Sequence, residues 1–114
     1  MGGSASAELG EAASYAIMQV ELHEEAAAEY DAAFDWYLDR SPDAAVKFDA
    51  EVDRALTQIL QSPRRWAAGA YQTRKLLLRQ FPFILVYRER PSGDIQVVAV
   101  AHTSRKPGYW KRRL

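Results

Sequence analysis

The hydrophobic period of this chain changes along its length, and the change leaves few folds open. From Glu24 to Leu60 apolar residues recur every three or four positions, the signature of helices that bury one stripe. From Thr73 to Ala101 they alternate or run continuously, as strands do. A first alternating run, Ile17 to Leu22, precedes both regions and predicts a short strand. Within the helical region, Glu24 and Glu25 place carboxylates in a first turn, where the helix dipole favours them. Ala26, Tyr30, Ala33, Phe34, Tyr37 and Leu38 form one stripe, with Asp31, Asp35 and Asp39 opposite. Ser41-Pro42-Asp43 then supplies a hydroxyl cap, a proline at the first helical position and an acid, so a second helix starts where the first stops. Its predicted buried side is Ala45, Phe48, Val52, Leu56, Ile59 and Leu60, and Pro63 ends it. So short a link makes the two helices antiparallel neighbours.

Three strands follow. Arg74 to Arg79 is the first, with Lys75, Leu77 and Arg79 on one face and Arg74 on the other. After a tight connection at Gln80-Phe81-Pro82, Phe83 to Tyr87 is apolar on both faces and predicts a central strand. Pro91-Ser92-Gly93-Asp94 is a turn, and the valine-rich run Ile95 to Ala101 is the last strand. The order is β-α-α-β-β-β. It predicts an α+β domain, a helical hairpin packed on a small antiparallel sheet, over residues 17–114. Residues 1–16 are small and polar, and they read as a flexible leader outside the fold, with Met18 as an alternative start beside the first strand.

At 114 residues the chain suits one domain. It has no cysteine, which removes disulfide scaffolds, thiolate metal sites and thiol nucleophiles and agrees with a reducing cytoplasm. The predicted location is therefore cytoplasmic, with no membrane partner, because no apolar run approaches the roughly 18 residues that a membrane span requires. The two histidines, His23 and His102, belong to no ligand motif, so no metal or other cofactor is expected. Ser104 lies near His102 but lacks nucleophile-elbow glycines, and no phosphate-binding glycine loop occurs.

Zero net charge conceals a division. Residues 1–62 hold 13 acids and 3 bases, and residues 63–114 hold 12 bases and 2 acids. Two readings are open: the halves pack against each other, or the basic half meets an anionic partner. The final stretch, Arg105 to Arg113, is basic and aromatic without an acid. Lys75, Arg79, Arg105, Lys106 and Trp110 are candidates for binding such a partner, since guanidinium forks grip phosphate or carboxylate and aromatic rings stack. Plainer roles stand beside these: Arg79 pairing with an acid of the hairpin, Tyr109 and Trp110 closing the end of the core, and His102 hydrogen-bonded at a strand end.

Two segments carry a family resemblance. One is Leu78 to Arg88, an arginine followed by Phe81-Pro82 and an apolar run ending in Tyr87. The other is Ile95 to Trp110, ending in His102, Arg105, Pro107, Tyr109 and Trp110. Together, and with the Ser62-Pro63 break, they resemble the toxins of the RelE/ParE family of type II toxin–antitoxin systems, over about Met18 to Arg113. The resemblance implies growth arrest relieved by a co-encoded antitoxin. It implies one of two targets: messenger RNA cut on the ribosome without metal, as by RelE-like members, or DNA gyrase, poisoned by ParE-like members. For cleavage, His102, Arg105 and Tyr109 are the catalytic candidates. Lys75 matches one RelE-like cation, but Leu77 and Ile84 stand where two others are expected. That departure favours the ParE-like side, with RNA cleavage and an inactive antitoxin-binding member as alternatives.

Overall fold

A computed structural model describes residues 20–114. The expected leader, and Ile17 to Gln19 of the expected first strand, lie outside the described residues. The elements are β1 (Val20–Leu22), α1 (Glu24–Arg40), α2 (Pro42–Gln61), β2 (Arg74–Leu77), β3 (Phe83–Glu89) and β4 (Ile95–His102), with short 3-10 turns at Ala70–Gln72 and Lys111–Arg113. The order is the one the hydrophobic period predicts.

Local chemistry explains the helix ends. The His23 imidazole accepts the Glu25 N–H at 3.0 Å and caps α1. Ser41 serves both helices: its N–H donates to Tyr37 O at 2.7 Å, closing α1, and its Oγ accepts the Ala44 N–H at 3.2 Å, opening α2. Pro42 then occupies a position that needs no N–H donor.

The sheet has the order β1-β4-β3-β2. β2, β3 and β4 form an antiparallel meander, but β1 runs parallel to β4, with Val20 beside Ile95. The sheet is therefore mixed and not wholly antiparallel as expected. β1 and β4 share no tight turn, and only such a turn dictates antiparallel pairing; the hairpin and the connection after it set the direction instead. β3 is central, as predicted. Gly93, at φ 93°, supplies the left-handed residue of the β3–β4 turn.

The sheet buries both faces. Against the hairpin lie Leu76, Leu78, Leu85, Tyr87, Val97 and Val100, facing Ala26, Ala33, Phe48, Val52 and Ile59. Phe48 is the hub of an aromatic cluster, with ring centroids 5.3 Å from Tyr37 and 5.4 Å from both Phe81 and Phe83. Leu38, placed in the buried stripe by its spacing, is instead 44% exposed. A second, smaller core forms on the other face from Val86, Val98, Ala99, Ala101 and Trp110. A bulge near Val86 and Tyr87 shifts the register of β3 on β4, so both Val98 and Ala99 serve that second core.

Glu51 is the exception to the apolar rule. It sits on the buried side of α2 at 6% exposure, where its carboxylate accepts the backbone N–H groups of Arg79 and Gln80 just past the end of β2. β2 consequently ends at Leu77 and not at Arg79, because the chain turns there to present those N–H groups to α2. The expected pairing of the Arg79 side chain with an acid of the hairpin is not found: Glu51 takes the Arg79 backbone N–H and pairs with Arg54, and among the described residues the Arg79 guanidinium meets no carboxylate.

Candidate functional site: the C-terminal end of β4 and the basic tail

β4 outruns β1, which pairs only with Ile95 to Val97. The remaining edge of β4 is closed by side chains. Val100 N–H donates to Glu29 Oε1 at 2.9 Å, and Val98 O accepts Arg113 Nη1 at 3.0 Å. Glu29 and Arg113 also form a two-pronged pair, at 3.0 and 2.9 Å. The Tyr109 hydroxyl completes the cluster by donating to Glu29 Oε2 at 2.6 Å. Gly108, at φ 80°, lets the tail turn so that Trp110 enters the second core while Tyr109, packed beside it, reaches Glu29 with its hydroxyl.

The electrostatics follow from this packing. Burial alone would raise the Glu29 pKa, but hydrogen bonds from Arg113, Tyr109 and the Val100 N–H outweigh it and hold the carboxyl below its usual range. Burial and the bond to Glu29 push the Tyr109 phenol well above its ordinary value of 10. Its hydroxyl is held as a donor. Its ring is flanked by the Arg105 guanidinium at 3.8 Å and that of Arg113 at 5.2 Å.

His102 ends β4 with its ring edge-on to Phe83 at 5.1 Å. Its Nδ1 accepts the Ser104 N–H at 3.0 Å and lies 2.8 Å from Ser104 Oγ. An Nδ1 that accepts leaves the proton of a neutral imidazole on Nε2, so the outward nitrogen is a donor. Beside it opens a groove of about 460 Å³ between α1 and the ends of β3 and β4. Ala33, Trp36, Tyr37 and Phe83 give it apolar walls, and His102 and Arg105 stand at its edge.

Of the catalytic candidates, Arg105 lies over the Tyr109 ring and shares the edge of the groove with His102. The binding candidates do not form one patch. Lys106 is exposed on the turn beside Arg105. Lys75 is on the opposite face of the sheet, its Nζ 5.9 Å from the Trp110 ring centroid. Arg79 is exposed near α2, beside a cleft it shares with Lys47 and Arg54. Trp110 is 2% exposed inside the second core, so its ring fills the role of closing the core. Of the tail cations, Arg113 is buried against Glu29, and Arg112 pairs with Glu25 at 3.0 Å. Part of the charge division is thus internal pairing of the two halves.

Sequence reasoning missed Glu29, Arg113 and Glu51. Glu51 had a readable signal, since it stands three residues after Phe48 and four before Ala55 on the buried side of α2. Glu29 lies four residues from both Glu25 and Ala33, at the margin of the α1 stripe, and only the path of the tail makes it a partner for Arg113. Among the described residues no group of acids and histidines is arranged to hold a metal ion, and no helix is long and apolar enough to cross a membrane.

A search of curated proteins returns no match. Among solved structures, a chain of the "Chromosomal ParDE TA system from P. aeruginosa" superposes with a TM-score of 0.66 at 22% identity, covering 78% of this chain and 99% of that one. That likeness establishes the fold: two helices on a small four-stranded mixed sheet. The sequence model of the family described as "ParE toxin of type II toxin-antitoxin system, parDE" matches residues 20–107. The match spans both helices, all four strands and the turn through Arg105, and the chain accordingly belongs to the ParE toxin family of type II toxin–antitoxin systems.

Proposed function

We propose that this chain is a growth-arresting toxin that acts in the cytoplasm by binding DNA gyrase, and that a co-encoded antitoxin neutralises it. The observation carrying this reading is the state of the proton-transfer candidates. Cleavage of RNA by its own 2′-hydroxyl needs a base to take a proton, an acid to return one, and cations at the developing phosphorane. Here the Tyr109 hydroxyl is spent on Glu29 and His102 Nδ1 on Ser104, which leaves His102 Nε2–H as a donor with no free base beside it. Leu77 and Ile84 are apolar at the two positions where the resemblance to RelE-like members implies cations. A surface that binds needs none of those groups free. Arg105 and Lys106 are exposed beside the apolar groove, and this combination suits a protein partner with acidic and apolar side chains. The groove is also the kind of surface that an antitoxin covers when it silences a toxin.

Two assays on purified protein test the proposal: gyrase supercoiling, and cleavage of messenger RNA on translating ribosomes. Inhibition of supercoiling without cleavage is expected, with weaker inhibition and weaker growth arrest from Arg105→Ala. Ribosomal cleavage lost in His102→Ala or Tyr109→Phe would place the protein with the nucleases. Healthy growth under verified soluble expression, with no effect in either assay, would leave an inactive antitoxin-binding member.

A further inference from the structure

The two ends of the sheet are treated differently. At one end, β1 covers the first half of β4, and Glu29 and Arg113 satisfy the N–H and C=O groups beyond it. At the other end stands β2. The Leu78 N–H donates to Phe83 O at 2.9 Å, which makes Leu78 and Phe83 a hydrogen-bonded pair of the antiparallel ladder. Counting back through the register, Leu76 opposite Leu85 and Arg74 opposite Tyr87 are also hydrogen-bonded pairs. Lys75 and Leu77 are then the non-bonded positions, and their N–H and C=O groups point away from β3. Among the described residues no side chain or backbone group meets them.

Edge strands are commonly blunted by a lysine, a proline, a bulge or a covering loop. Here the lysine does not stand guard, because the Lys75 side chain lies toward Trp110 on the face away from the helices. Leu77, on that same face, is 62% exposed. On the helix side, Arg54 and Arg79 border the end of the edge, and with Lys47 and Gln80 they line a cleft of about 290 Å³. Glu51, the carboxylate among them, is occupied by two backbone N–H groups and by Arg54 at 3.5 Å. An extended chain laid along β2 would find backbone partners at Lys75 and Leu77. It would also find an apolar contact at Leu77 and unneutralised guanidinium charge at Arg79.

We propose that the free edge of β2 receives an extended, acidic segment of a protein partner as a fifth strand. Main-chain bonds to Lys75 and Leu77 supply the affinity. Alternate side chains supply the selectivity, with apolar residues over Leu77 and carboxylates toward Arg54 and Arg79. This is independent of whether gyrase or the ribosome is the target, and of what occupies the groove beside His102.

The probe is a short capped peptide alternating glutamate with valine, titrated into the full-length isotope-labelled protein and followed by amide chemical shifts and hydrogen exchange. The Lys75 and Leu77 amides are expected to shift and to exchange more slowly on binding. The same peptide with lysine in place of glutamate should not bind. Leu77→Pro, which deletes one outward N–H at an edge position where proline is tolerated, should abolish binding. Where that variant fails to fold, Arg54→Glu combined with Arg79→Glu carries the test and should weaken binding by about tenfold or more. The proposal is overturned if the peptide leaves both amides unprotected at saturation, or if its lysine counterpart binds equally well. It is also overturned if a short single-stranded oligonucleotide, and not the peptide, produces the shifts at β2.

Discussion

Replacing Arg113 with alanine separates a tail that binds from a tail that holds the fold together. The side chain is 4% exposed, and its guanidinium spans Glu29 and the Val98 carbonyl. Removing it leaves the Glu29 carboxylate with Tyr109 and the Val100 N–H but without its counter-charge, and it strips the edge carbonyl of its donor. Breaking a buried pair from one side costs about 3–5 kcal/mol. The low end applies because Glu29 keeps two hydrogen bonds and, at 17% exposure, some access to water. Against a total of roughly 5–15 kcal/mol for a domain, a loss near 3 kcal/mol is a large fraction. At about 4–8 °C per kcal/mol, it lowers Tm by ten degrees or more. Urea and thermal unfolding followed by circular dichroism measure both quantities. Acid adds a second arm. The folded carboxyl of Glu29 titrates below its ordinary value of 4.5, so its contribution is full above that pH and is lost as pH falls through the depressed folded value. Glu29→Gln should therefore flatten the acid limb of the stability curve. An Arg113→Ala protein within about 0.5 kcal/mol of the parent, with an unchanged acid limb, would refute the buried pair and return Arg113 to the free basic surface.

Trp110→Ala empties the centre of the second core and should cost about 3–5 kcal/mol, so any loss of toxicity in that variant must be judged against its melting curve. Glu51→Ala leaves the Arg79 and Gln80 N–H groups without their acceptor; a loss of about 1–3 kcal/mol is expected, and a neutral result would show that water replaces the carboxylate. A chain lacking residues 1–16 should melt with the full-length protein, and a clear drop in Tm would show that those residues add to the domain.

How much could be read from the residues depended on the range of the interaction responsible. Caps, stripes and turns are local, and Ser41, Pro42, Pro63 and Gly93 act as their chemistry dictates. The direction of β1 was not legible, because it follows from how the hairpin and the connection after it pack on the sheet and not from any local signal at Leu22 or Ile95. The site followed the same rule. His102, Arg105 and Tyr109 stand close in the sequence, and Arg105 is found over the Tyr109 ring and at the groove edge with His102. The acids that determine what these residues can do, Glu29 for Tyr109 and Glu51 for the turn at Arg79, come from the helices. Their roles appear only once the tail and the β2–β3 turn have been folded against them. The charge division was visible throughout, yet pairs such as Glu29 with Arg113 and Glu25 with Arg112 show that some of it serves the interior.

The parallel pairing of β1 with β4 also sets when the sheet can be completed as the chain is made. Val20 is among the first described residues to be made, but its ladder partner Ile95 comes near the end of the chain. Arg113, which seals the β4 edge against Glu29, comes later still. The helical hairpin can form early, since Ser41 joins its two halves without a loop and its contacts are local. The edge of β4 beyond β1 cannot be sealed until Arg113 is free to reach Glu29 and the Val98 carbonyl. A nascent chain thus carries an acidic, half-covered hairpin before it carries the completed edge and the Arg105 surface. Termination between β4 and the tail would leave the second core without Trp110 and the β4 edge without Arg113.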